Sequence, residues 1–144
     1  RLVKTFDGEQ ADVPLLMGHY WIQSLSSVHA VAAYDVADLN HIREVSRITF
    51  EGKEKPHWIS ADESGRRIVV NSGEYADHRL FVVNLDPQTG ALELDGKFRD
   101  AGSEQPGVTM DGKSWPHGFH GDAYPHGTVF SRTVAAATNV PASK

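Results

Sequence analysis

The feature that most constrains this chain is a series of short β-branched and aromatic runs, each closed by turn residues, with no sustained apolar period of 3.6. Tyr20–Leu25 (YWIQSL), His29–Val36 (HAVAAYDV) and Glu44–Phe50 (EVSRITF) form a first group. His57–Ala61 (HWISA), Ile68–Asn71 (IVVN), Leu80–Leu85 (LFVVNL) and Leu92–Phe98 (LELDGKF) form a second. The connectors carry turn chemistry: Asp38 and Asn40 in Ala37–Ile42, DESGR at Asp62–Arg66, and DPQTG at Asp86–Gly90. In the last, Pro87 presets φ and Gly90 can take φ > 0. Ser60-Ala61-Asp62-Glu63 has capping-box spacing, but Gly65 and the run from Ile68 follow at once, so it reads as a turn. Val134–Thr138 is Ala-rich and too close to Pro141 for a stable helix. The reading is an all-β chain.

The two groups look like copies. YDVAD at Tyr34–Asp38 and VNLD at Val83–Asp86 place a strand end and an Asp turn in the same order, 48 residues apart. A period of about 40–50 residues with three or four short strands per unit is the pattern of β-propeller blades. The expected organisation is a blade over residues 1–54, a blade over 55–100, a Gly/Pro-rich loop over 101–127, and a closing strand and tail over 128–144. In that scheme Thr128–Phe130 is the first strand of a third blade. A closed ring takes about four to eight blades. The chain is therefore expected to be the C-terminal part of a longer propeller, with open outer blade faces in isolation and the remaining blades as partners.

Composition removes several functions. Nineteen acidic against fourteen basic residues give a net charge of −5, the wrong footprint for nucleic acid. No apolar stretch approaches the ~18–20 residues that span a bilayer as a helix. With no cysteine there is no disulfide, thiolate nucleophile or Cys-ligated metal site. Phosphate-loop, dinucleotide-binding, zinc-protease and serine-esterase strings are all absent.

Histidine is what remains. Of eight, three follow proline: Pro56-His57, Pro116-His117 and Pro125-His126. HWISA and HGTVF each begin a strand-like run, so His57 and His126 would open innermost strands and meet at one rim. The loop carrying His117 and His120 would fold back over it. Imidazole suits copper, zinc, iron and nickel, so His57, His117 and His126 are the candidate metal ligands, with Asp111 or Asp122 behind them. The competing reading is structural: proline punctuates strand starts and the imidazoles bond to backbone. Trp58 and Trp115 either wall a pocket or belong to the core. His29 reads as packing, and His19, His41 and His78 as solvated turn residues.

KPHWISADESGRRIVVNSG (Lys55–Gly73) and RLFVVNLDPQTGALELDGKFRD (Arg79–Asp100) resemble the last blades of a bacterial seven-bladed β-propeller. HAVAAYDVADLNHIREVSRITF (His29–Phe50) resembles the blades of the same proteins. The pattern is most similar to the selenium-binding protein family, whose bacterial members include methanethiol oxidases. That resemblance implies copper-linked oxidation of a small thiol, with histidines as ligands. The missing cysteine departs from any family chemistry that carries selenium or sulfur on a Cys. Lactonase-type and YVTN-repeat propellers share the blade grammar. A lactonase would place Arg79 and Asp100 at its pocket, and a non-enzymatic binding scaffold would need none of these residues.

Overall fold

The computed structural model describes residues 2, 4–6, 8, 11–73 and 78–131. The first sheet is a four-stranded antiparallel meander of β1 (Pro14–Met17), β2 (Tyr20–Leu25), β3 (Ala30–Asp35) and β4 (Arg43–Thr49). The second runs β5 (Pro56–Ala61), β6 (Arg67–Ser72), β7 (Arg79–Leu85) and β8 (Leu92–Leu94), again antiparallel, with β9 (Val108–Thr109) also pairing β7. β10 (Lys113–Ser114) and β11 (His120–Gly121) form a small separate hairpin. A 48-residue shift maps the starts of β2, β3 and β4 onto those of β6, β7 and β8 to within one residue. The repeat read from the Asp turns is therefore a repeat of strands.

Alternation along each strand sorts its side chains into two faces. From the first sheet, Tyr20, Ile22, Val31 and Ala33 point inward; from the second, Ile59, Ile68, Val70, Phe81, Val83 and Leu85 do. These form one buried cluster, so the sheets pack face to face, closed by the Phe50 and Phe81 rings with centroids 4.9 Å apart. Polar bonds fix the stacking register. Ser24 Oγ donates to the His57 carbonyl (2.9 Å), the Leu92 N–H to Ser46 Oγ (2.9 Å), and Tyr20 Oη to the Gln88 carbonyl (2.9 Å).

The DPQTG turn does more than reverse the chain. Asp86 caps it by accepting from the Gln88 N–H, and Gly90 sits at φ 75°. A Cβ on Gly90 would lie 2.5 Å from the Tyr20 ring and 2.7 Å from Val45. The turn of the second sheet is pressed against the first.

Several expectations are corrected. Leu92–Phe98 is a strand only to Leu94, because Asp95 starts a new turn by accepting from the Lys97 N–H. The outer strand of the second sheet is thus split between β8 and β9, with residues 95–107 looping out between them. The Gly/Pro-rich segment is not all loop, since it holds β9, β10 and β11. Thr128–Phe130 forms no strand with the described residues. It crosses the outer face of the second sheet, where side chains and not a strand edge hold it. Asn71 Nδ2 donates to the Pro125 carbonyl (2.7 Å), Thr128 Oγ1 to Asn71 Oδ1 (3.0 Å), and Ser60 Oγ to the Thr128 carbonyl (2.5 Å). Val134–Thr138 and the rest of the expected tail lie outside the described residues.

The two outer faces therefore differ. The first sheet keeps an apolar groove of about 410 Å³ lined by Phe6, Leu16, Trp21, Tyr34, Leu39 and Ile42, among others, with Leu16 and Leu39 exposed. The outer face of the second is crossed by residues 123–131.

Gly90→Ala is expected to cost about 1–3 kcal/mol, from left-handed strain plus overpacking against Tyr20. Gly96→Ala, with open space around it, should be near neutral; urea denaturation compares the two. Asn71→Ala should free the crossing segment, seen as faster amide exchange over residues 123–131 with the β3 amides unchanged.

Candidate functional site

One rim of the stacked sheets collects the end of β2, the end of β4, the start of β5, the end of β6 and the start of β7. Pro56 has no N–H for the ladder, and the β5–β6 register shifts between Pro56 and Trp58. His57 is the residue at that bulge, and bulges re-aim side chains. Its Nδ1 lies 3.2 Å from Asp12 Oδ1, on the segment entering β1. A carboxylate there favours the proton on Nδ1 and leaves Nε2 with its lone pair.

The segment crossing the second sheet brings the next imidazole. Held at Pro125 and Thr128, it lays Gly127 over the Trp58 indole, where a Cβ would stand 3.5 Å from the ring. His126 then faces His57, with ring centroids 5.3 Å apart and planes 34° apart. Tyr124, two residues earlier on the extended chain, lies 5.6 Å from His126, and its ring is 5.6 Å from His78. His78 Nδ1 is 2.6 Å from Asp111 Oδ1. Backbone bonds from Met110 to the His78 carbonyl (2.7 Å) and from Ala123 to the Met110 carbonyl (3.1 Å) bring these three segments together. The result is a row of rings, His57, His126, Tyr124 and His78, with a carboxylate at each end.

Of the three candidate ligands, His57 and His126 are side by side. His117 is elsewhere in its contacts: it stacks on Phe119 (6.3 Å, 4°) in the turn of the β10–β11 hairpin. His120 is in β11, opposite Ser114. Among the described residues no three His, Asp or Glu side chains converge in a metal-binding arrangement. Asp122 accepts from the Gly112 N–H (2.7 Å) and so shapes the loop. His29 takes a left-handed backbone (φ 54°), and its Nδ1 donates to the Glu54 carbonyl (2.7 Å). His41 pairs with Asp38 in an exposed turn.

Arg79 and Asp100 anchor the loop. Arg79 Nη1 donates to the Gly107 carbonyl (2.8 Å) and lies 3.6 Å from Asp100 Oδ2. The hydrogen bond from Lys113, then that from the Thr109 N–H, hold the Asp100 carboxyl below its ordinary pKa.

Sequence reasoning missed Asp12, Tyr124 and His78. Asp12 sits in a segment without a motif, and Tyr124 directly precedes the Pro125-His126 pair. His78, expected as a solvated turn residue, instead directly precedes β7 and stands against Asp111. Nothing local announces a contact made across 33 residues.

No family model and no curated protein matches the sequence. Among solved structures, the fold is similar to a hypothetical selenium-binding protein from Sulfolobus tokodaii, with a TM-score of 0.50 and 18% identity. The match covers 60% of this chain and 24% of that one, so the chain spans about a quarter of that structure. At this identity the likeness is one of fold alone.

Proposed function

We propose that this chain supplies two blades and a histidine-bearing rim to a propeller of the selenium-binding-protein kind, working as a copper-dependent oxidoreductase on a small thiol. The observation that supports this reading is the His57–His126 pair. Two imidazoles that share a metal at about 2.0 Å, at a near-tetrahedral angle, have ring centroids about 5 Å apart. The pair here stands at 5.3 Å. Asp12 behind His57 is the carboxylate–histidine arrangement that orients metal ligands.

The donor set fits copper as part of a centre. Two imidazoles would leave room for further donors, and these 144 residues supply no cysteine among them. Copper held by His57 and His126 would supply affinity for a soft sulfur donor and one-electron redox chemistry. The protein's own part is to hold His57 by the bulge and Asp12, and to hold His126 by the strap. The open apolar groove of the first sheet suits a neighbouring blade of the same propeller. For the lactonase alternative, Arg79 and Asp100 are the residues at issue, and both contact the loop here. A binding scaffold stays the alternative if the rim holds no metal.

Copper content of the complete protein after dialysis tests this directly. The parent is expected to retain copper, and His57→Ala or His126→Ala to lose most of it. Asp12→Asn should weaken binding by about 10–100-fold, and His117→Ala reports whether the hairpin contributes. A parent without copper, or equal content in the His57 and His126 variants, overturns the reading.

A further inference from the structure

The two sheets share a register as well as a period. Offsets of 47 residues from β2 to β6 and 49 from β3 to β7 carry the pair Trp21↔Tyr34 onto Ile68↔Val83. The same offsets carry Ile22↔Ala33 onto Val69↔Val82. Ile22 and Ala33 face the core between the sheets, yet their counterparts Val69 and Val82 lie on the far side of the second sheet. Ile68 and Val83 face that core, and their counterparts Trp21 and Tyr34 line the open groove. The sheets are therefore stacked front to back, and the groove is the equivalent of the face that the second sheet has covered. The Asp turns match too. Asp38 Oδ1 accepts from the Asn40 N–H and Asp86 Oδ1 from the Gln88 N–H, both at 2.8 Å. That alignment sets Ile42, which lines the groove, in the place of Gly90, on which Tyr20 rests.

We infer that the groove seats a further antiparallel sheet of this same repeat, stacked on the first as the first is stacked on the second. Ile42 selects a sheet with a small side chain where the first sheet has Tyr20. The inference rests on the stacked-sheet part of the reading above and not on copper. The chain itself shows what covers a face of this kind: Ile22, Val31 and Ala33 cover Ile68, Val70, Phe81 and Val83. The occupant accordingly presents branched and small apolar side chains to Trp21 and Tyr34, and burial of those apolar surfaces drives the contact. At the turn the fit differs. A Cβ on Gly90 would stand 2.5 Å from the Tyr20 ring, and Ile42 puts a whole branched side chain in that place. An aromatic ring opposite Ile42 would overlap it. A second copy of this chain fits poorly. Its face of the right type is the outer face of its second sheet, which carries Arg67 at the Tyr20 position. Residues 123–131 also cross that face, held on Asn71 and Ser60, and burying an unpaired guanidinium against Ile42 is costly.

The test uses the complete protein. Leu16→Cys reports the accessibility of the groove, and Lys97→Cys, in an exposed turn, is the uncovered reference. Maleimide labelling, read peptide by peptide by mass spectrometry, should be at least about tenfold slower at residue 16 than at residue 97 in monomeric protein. Equal rates overturn the inference. Slow labelling found only where the protein self-associates makes a second copy the occupant and overturns it too. With p-benzoylphenylalanine in place of Leu39, the cross-link should run within one polypeptide to a sheet of this repeat whose residue in register with Tyr20 is small. A link to a second copy, or to a segment without the repeat, overturns the occupant. A Tyr, Phe or Trp in that register overturns the role of Ile42. Added to Leu16→Cys, Ile42→Arg should raise labelling toward the reference rate while amide protection in β6 and β7 stays as in the parent. Unchanged labelling, or protection lost along with it, overturns Ile42 as the selecting residue. A parent without copper overturns the function reading above and leaves this inference standing, because no imidazole takes part in it.

Discussion

The apolar interface between the two sheets is what the rest of this structure depends on. Ile22, Val31 and Ala33 on one side meet Ile59, Ile68, Val70 and Val83 on the other, nearly all fully buried. At about 25 cal/mol per Å² of apolar surface removed from water, each large side chain there contributes roughly 1.5–3 kcal/mol. Non-directional packing of this kind leaves the sheets free to slide. The cross-sheet bonds from Ser24, Ser46 and Tyr20, together with the fit of Gly90 on Tyr20, select one alignment.

That alignment determines what the rim can be. Ser24 bonds to the carbonyl of His57 itself, so the stacking of the sheets and the placement of the candidate ligand are one constraint. The bulge at Pro56 turns the imidazole out of the ladder. The strap, held on Asn71 and Ser60, then delivers His126 to it. Asn71 is fully buried, and its side chain bonds twice to the strap. A buried amide without those partners would be costly, which makes the strap part of the second sheet's stability as well as part of the site.

The outer faces show how two similar sheets come to differ. On the first sheet Trp21, Leu16 and Leu39 line an apolar groove, with Phe6 packed on the buried Tyr34. On the second, Ser60 and Asn71 hold the crossing segment by hydrogen bonds to Pro125 and Thr128.

The sequence by itself determined the strands and their period. Alternation of apolar and polar residues in YWIQSL, HAVAAYDV, IVVN and LFVVNL, with Asp-led turns between them, is local information, and β2, β3, β6 and β7 lie where it points. It also marked Pro56-His57 and Pro125-His126, because proline's missing N–H has a local consequence. Strands of two residues such as β9, β10 and β11 have too short a pattern to carry a period. Thr128–Phe130 has strand-like residues, yet its fate was set by Asn71 and Ser60, over fifty residues earlier. Only the tertiary structure decided that His126 and not His117 stands beside His57, and that Asp12 and Asp111 close the row. Those contacts join segments 33 to 69 residues apart. Separation along a chain carries no distance in space until two sheets have packed and brought their rims together.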